Sequence, residues 1–308
     1  MKREAVQFEA TESLRGDCAP TSPWRRLTHG WRRIFARPDW RFLLGDNWAE
    51  RVMQVEVTDQ FHAKQGRSTG RLVVERDGQR LAVYLKRHYR LPRWAGWLAS
   101  LWPGNGWSPA WQECRHLRWA QRNGLPVPVP VAAGEFVGPW GKMQSFLAIE
   151  ELVDMLPLHQ AIPRAARMLH PADFQAWKNG LVSELARLAR ELHLRRHFHS
   201  DLYLCHFFIR RDELWPGTAW RGKVHLIDLH RLAHHRVLST IWRVKDLAQL
   251  LFSSDLEGIE ARDRLRFWRT YLGAARRSFW GRWLAWTIRV KAFFYQRHND
   301  KKRLKSQA

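Results

Sequence analysis

Apolar and polar residues alternate in short runs along the first half of the chain, and along the second half apolar residues recur every three to four positions. Alternation over residues 52–57, 70–75 and 81–86, the last reached through Asp77-Gly78, predicts an antiparallel meander. A helix is predicted over 108–123, because Gly124 supplies a stop and the prolines from Pro126 to Pro130 bar its continuation. Two further runs, 132–135 and 145–150, complete an expected five-stranded antiparallel sheet with one helix. Beyond Leu152 the period turns helical, and the stripe Trp177, Leu181, Leu185, Leu188 and Leu192 predicts a long helix over 174–194. Strands followed by helices predict an α+β chain of two lobes.

The flanks read differently. Residues 1–23 carry no period and predict a mobile tail. Trp24, Leu27, Trp31, Ile34 and Phe35, with Arg25, Arg26, Arg32 and Arg33 between them, predict a basic amphipathic helix over 24–35. Near the other end, Phe279, Trp283, Trp286, Val290 and Phe293 predict a helix whose stripe packs on the C-terminal lobe. The expected organisation is a tail and basic helix over 1–45, an N-terminal lobe over 46–152 and a C-terminal lobe over 153–308.

Charge narrows the partners. With 52 Lys and Arg against 29 Asp and Glu, the net charge is +23, and such a surface attracts polyanions. Coulomb attraction alone does not choose among nucleic acid, anionic lipid, an acidic protein and phosphorylated sugars. Nineteen Trp in 308 residues, several beside Arg as in Trp24-Arg25-Arg26, suit a membrane interface, although GC-rich coding would enrich both residues too. Cys18, Cys114 and Cys205 form no C-x-x-C pair, which fits a reducing compartment. Met1-Lys2-Arg3-Glu4 is followed by no apolar stretch, and the apolar run 94–102 is about half of the ~20 residues a span needs. A cytoplasmic protein is therefore expected.

The chemistry concentrates in two stretches. His199-Ser200-Asp201-Leu202-Tyr203-Leu204-Cys205-His206 precedes Phe207-Phe208-Ile209, and a polar loop over 210–222 leads to His225-Leu226-Ile227-Asp228-Leu229-His230-Arg231. The order resembles a kinase catalytic loop followed by a metal-binding strand end. That resemblance implies Asp201 as the acceptor of the hydroxyl proton, with His206 and Asp228 at the metal positions. Phosphoryl transfer needs a hydroxyl positioned against a metal-clamped triphosphate, and two carboxylates on adjacent loops supply that. Residues 207–209 and 224–227 are expected to pair as short strands that hold the two carboxylates together. His206 replaces the usual Asn, and an imidazole suits Mg²⁺ less well than an oxygen does. Ser200 replaces the Arg that commonly answers a phosphorylated activation loop, so that switch is not expected. A zinc site from His197, His199, Cys205 and His206 is disfavoured, because alternate strand residues point to opposite faces.

Upstream, Ala82-Val83-Tyr84-Leu85-Lys86 resembles the kinase strand whose Lys contacts the α and β phosphates, and Glu113 is its expected ion partner. Gly66-Arg67-Ser68-Thr69-Gly70 stands where a glycine-rich phosphate cover belongs, without matching G-x-G-x-x-G. Glu151 and Leu152 fall at the expected hinge, where their backbone groups would meet adenine.

Three phrases resemble one family more closely: Asp201-Leu202-Tyr203-Leu204-Cys205-His206-Phe207, Ile227-Asp228-Leu229-His230-Arg231 and Val244-Lys245-Asp246-Leu247-Ala248-Gln249-Leu250. They are similar to those of the lipopolysaccharide kinases, the inner-core heptose and Kdo kinases, over roughly residues 50 to 255. The resemblance implies a protein-kinase-like fold, ATP and Mg²⁺ as cofactors, and a hydroxyl of a lipid-linked core sugar as acceptor. It also implies that Asp246 braces the catalytic loop. The other kinase substrates, a protein hydroxyl or a small molecule, stay open, as does a non-catalytic basic membrane-binding protein on a kinase scaffold. A peripheral place on the anionic inner leaflet is expected, docked through 24–35 and 94–102. An acidic protein partner remains open, and nucleic acid is not expected.

Overall fold

The computed structural model describes residues 22–57 and 66–307. Cys18 and nearly all of the expected tail therefore lie outside the described residues. The chain forms two compact units, one running through Arg118 with Val129–Glu151, the other comprising Trp119–Pro128 and everything from Leu152 onward.

In the first unit, helix α1 (Pro23–His29) leads into strand β1 (Trp31–Ala36), then helices α2 (Pro38–Leu44) and α3 (Trp48–Arg51). Strands β2 (Arg67–Arg76) and β3 (Gln79–His88) form a hairpin, followed by α4 (Arg93–Leu101), α5 (Pro109–Arg122, whose last turn from Trp119 belongs to the second unit), β4 (Pro130–Val137) and β5 (Met143–Glu150). The sheet runs β1-β4-β5-β3-β2, every pair antiparallel. Alternation sets its faces, since Leu81, Val83 and Leu85 of β3 all point into the core. Trp40, Trp48 and Phe146 meet there edge to face at 6.2 and 5.8 Å. Gly134 makes room for this cluster, because a Cβ there would lie 2.4 Å from the Phe146 ring. Truncating Phe146 to Ala would cost about 3–5 kcal/mol.

Two sequence expectations fail in this unit, and they fail together. The helix expected over 24–35 stops at Gly30, whose φ of 78° and close approach to the Val137 carbonyl suit only glycine. Residues 31–36 form the edge strand β1, in register from Trp31 opposite Val137 to Ala36 opposite Ala132. The strand expected over 52–57 is absent: Val52 closes α3, a turn follows, and Val52 and Val57 simply fill the core. The sheet keeps five strands by exchanging one for the other. Arg33, a helix-face cation in the sequence reading, instead stacks over Trp31 and Trp111 at 5.4 and 5.2 Å.

The second unit contains β6 (Met155–Pro157), α6 (Leu158–Met168), α7 (Pro171–Leu194), β7 (His197–Phe198), β8 (Phe207–Arg210), β9 (His225–Leu226) and β10 (Ala233–His234). Helices α8 (Ser239–Ser253), α9 (Ala261–Leu272) and α10 (Phe279–Gln307) complete it. The predicted α7 stripe is buried throughout. A buried Lys178–Asp263 pair at 2.7 Å ties α7 to α9. Strand β8 lies between β6 and β9, pairing Phe207 with Leu226 and Phe208 with His225 as expected. Helix α10 packs on α8 through Leu284, Ile288 and Ala292, so the expected stripe is displaced: Phe279, Trp283, Trp286 and Phe293 face solvent. No helix among the described residues is long and apolar enough to cross a membrane.

Candidate active site

The first unit brings Lys86 and Glu113 together. Lys86 is held by its strand between Thr69 and Leu147, and its Nζ lies 2.7 Å from Glu113 Oε1 on α5. Glu113 is buried and Lys86 mostly so, which strengthens the pair relative to a surface one. The pair fixes an ammonium on a strand that is flanked on both sides within the sheet.

Other expected residues of this unit fall elsewhere. Gly66 sits in the turn entering β2 at φ 74°, while Gly70 lies inside β2 opposite Leu85. The segment 66–70 is therefore mainly strand rather than a loop over phosphates. Glu151 donates its amide to the Ala82 carbonyl at 2.9 Å, and its carboxylate takes both arms of Arg71 at 2.8 and 2.9 Å. That amide is committed within its own unit and is no adenine ligand. Leu152 belongs to the other unit.

In the second unit, Asp246 on α8 organises the loop after β7. Its carboxylate is fully buried and accepts the backbone amides of His199 and Ser200, both at 2.8 Å. Gln249, one helical turn on, accepts from the Leu202 amide and donates to the Ser200 carbonyl, each at 3.0 Å. Ser253 takes the Leu204 amide at 3.0 Å. One face of α8 thus satisfies the backbone of a loop that has no sheet partner of its own. The support matters because Ser200 is left-handed at φ 68°, a strained conformation for a residue with a Cβ.

This loop presents Asp201. Its carboxylate accepts from Arg231 Nη1 at 2.9 and 3.1 Å, and the Asp201 carbonyl lies 2.7 Å from His206 Nδ1. Asp228, at the end of β9, is also left-handed at φ 61°, which turns its carboxylate back toward His206. His206 Nε2 stands 3.9 Å from Asp228 Oδ2, and His230 Nδ1 lies 2.7 Å from Asp228 Oδ1. Burial opposes a charge on His206, but hydrogen bonds to Cys205 and to the Asp201 carbonyl, with Asp228 nearby, push its pKa up to about 9. The fully buried His199 shows the opposite: burial lowers it, while Nε2 bonds the Ile227 carbonyl at 3.0 Å.

The Asp228 carboxylate with His206 Nε2 is a two-donor set, and among the described residues no three His, Cys, Asp or Glu converge as a closed metal cage would require. That suits Mg²⁺, which takes most of its ligands from phosphate and water, with His206 joining only once its proton is gone. An apolar cavity of about 680 Å³ in the same unit, lined by Leu185, Leu204, Leu250, Ile288 and Ala292, lacks the free carboxylates this chemistry needs. Of its two carboxylates, Asp263 is spent on Lys178 and Asp255 pairs with Arg264 at 3.3 Å.

The model of the lipopolysaccharide kinase (Kdo/WaaP) family matches residues 53–271. The chain belongs to that family. It is 32% identical over 243 residues to the lipopolysaccharide core heptose(I) kinase WaaP of Pseudomonas aeruginosa PAO1, covering 76% of this chain and 85% of that one. Its likeness to WaaP of Escherichia coli K12 is 33% over 134 residues, 44% of this chain and 49% of the relative. A solved structure of WaaP in complex with acyl carrier protein superposes with TM-score 0.63 at 30% identity, over 85% of this chain and 99% of that one. The α+β kinase fold and phosphotransferase class expected for this lipopolysaccharide kinase family member are thus upheld.

Arg231, His230 and Gln249 escape the sequence reading as partners of the site. Arg231 and His230 stand within the phrase that carries the family resemblance, and the i, i+3 spacing of Asp246 and Gln249 on one helix face is a readable sign of joint action.

Proposed function

We propose that this chain transfers the γ-phosphate of ATP to a hydroxyl of a lipopolysaccharide inner-core sugar, heptose before Kdo, in the cytoplasm at the inner leaflet. The observation that carries the reading is the braced loop: Asp246 holds the backbone on which Asp201 is presented, five residues before His206. In this reading Lys86, oriented by Glu113, holds the α and β phosphates. Asp201 orients the acceptor hydroxyl and takes its proton, while Arg231 holds the carboxylate in place. Asp228, with His206 once deprotonated, would hold Mg²⁺, which would neutralise charge on the phosphates. The backbone of Leu152 and the carbonyl of Glu151 remain for the base.

The acceptor follows from the WaaP relatives, named as heptose(I) kinases. The acyl carrier protein in the WaaP complex supports an acidic protein as partner of this strongly basic chain. Mass spectrometry of core oligosaccharide from cells with and without the gene tests the reading. Loss of one phosphate from a heptose supports it; an unchanged core contradicts it.

A further inference from the structure

Helix α4 is turned inside out. Its buried face is small, made of Ala95, Gly96, Ala99 and Ser100, while Trp94, Trp97 and Leu101 face solvent. A helix that packs for stability alone does the reverse.

The arrangement is built, not incidental. A Cβ on Gly96 would lie 2.3 Å from the Gly141 carbonyl, and one on Gly141 would lie 2.1 Å from the Trp97 ring. Two glycines thus let α4 rest directly on the turn 139–141. Trp97 donates its indole N–H to the Trp140 carbonyl at 3.0 Å, and Trp140 itself is left-handed at φ 55°. From the other side, the buried Arg26 of α1 donates to the Ser100 carbonyl at 2.5 Å. This seats Trp24 edge-on to Trp140, with centroids 6.2 Å apart. Three stretches remote in sequence therefore converge to expose large apolar side chains: Trp24 is 65% exposed, Trp94 62% and Trp140 53%.

Charge complementarity selects the occupant. Arg25, Arg90, Arg93 and Lys142 are exposed in the same three stretches, and residues 22–30, 88–107 and 138–142 contain no Asp or Glu. A second copy docked face to face would set these cations against their own kind. Indoles prefer the headgroup region, and cations beside them prefer an anionic one. We propose that this face seats the protein on an anionic phospholipid bilayer, with α4 lying along the headgroups. The proposal gives the inner-leaflet reading above its physical surface; it rests on that reading for its purpose and on none of the catalytic residues.

Flotation of the full chain tests it, using vesicles of equal parts phosphatidylglycerol and phosphatidylcholine against pure phosphatidylcholine. The wild type should favour the anionic vesicles by about tenfold or more, less so as salt rises. Trp24→Ser with Trp94→Ser and Leu101→Ser, and separately Arg25→Glu with Arg93→Glu and Lys142→Glu, should each weaken partitioning about tenfold. Melting temperature and phosphate transfer to a detergent-dispersed acceptor should hold. If the apolar triple variant misfolds, the charge-reversed one decides alone. Equal partitioning onto both vesicle types, or unchanged binding by the charge-reversed variant, overturns the proposal. So does self-association that these substitutions abolish without any vesicle binding. Flotation without phosphate transfer would sink the kinase reading and leave this surface standing.

Discussion

The Asp246 carboxylate lies 2.8 Å from the backbone nitrogen of Ser200, and that contact holds a left-handed residue immediately before Asp201. The same carboxylate takes the His199 amide, so Asp246→Ala would strand two buried N–H groups. Each should cost roughly 1–3 kcal/mol. Denaturant unfolding should show that loss together with collapse of phosphate transfer. Asp246→Asn, which keeps one acceptor oxygen, should lose less; equal stability of Asp246→Ala and the wild type would contradict the bracing role.

Lys86 and Glu113 should behave as one unit. Lys86→Met should raise the ATP requirement and lower turnover together, because the residue meets phosphates in both ground and transition states. Glu113→Gln should do the same through Lys86, and adding it to Lys86→Met should change little further. Additive losses in a double-mutant cycle would mean that the 2.7 Å contact does not orient the lysine.

What the sequence shows clearly is whatever depends on order and local period. The hairpin through Asp77-Gly78, the long α7 stripe and the spacing of Asp201, His206 and Asp228 are of that kind. The exchange of 52–57 for 31–36 in the sheet is not, because both segments carry apolar residues at spacings that suit either structure, and the choice rests on which backbone finds a partner beside β4. Gly30 is the sign that the expected helix must stop. The Arg231–Asp201 contact and the Trp24–Trp140 packing join residues remote in sequence, and no period encodes them.

Stability should fall on both sides of neutrality, for two different histidines. His199 is depressed by burial, so unfolding takes up a proton below its ordinary value of 6.5; its contribution is complete above that pH and is lost as pH falls through the folded value. His206 is raised to about 9, so its contribution is complete below 6.5 and disappears as pH rises through 9. Melting curves across pH should show His199→Gln flattening the acid limb and His206→Asn the alkaline one. An unchanged alkaline limb in His206→Asn would contradict the raised value.

Asp201 carries the central claim. Phosphate transfer from ATP with Mg²⁺ to lipid-linked inner-core acceptor should be measured for purified wild type, Asp201→Asn and Asp228→Asn, with melting followed in parallel. The account predicts that turnover falls by about 10²–10⁴ in Asp201→Asn and at least as far in Asp228→Asn, which should also lose Mg²⁺-dependent ATP binding, while both variants stay folded. Wild-type turnover in a folded Asp201→Asn variant would contradict it.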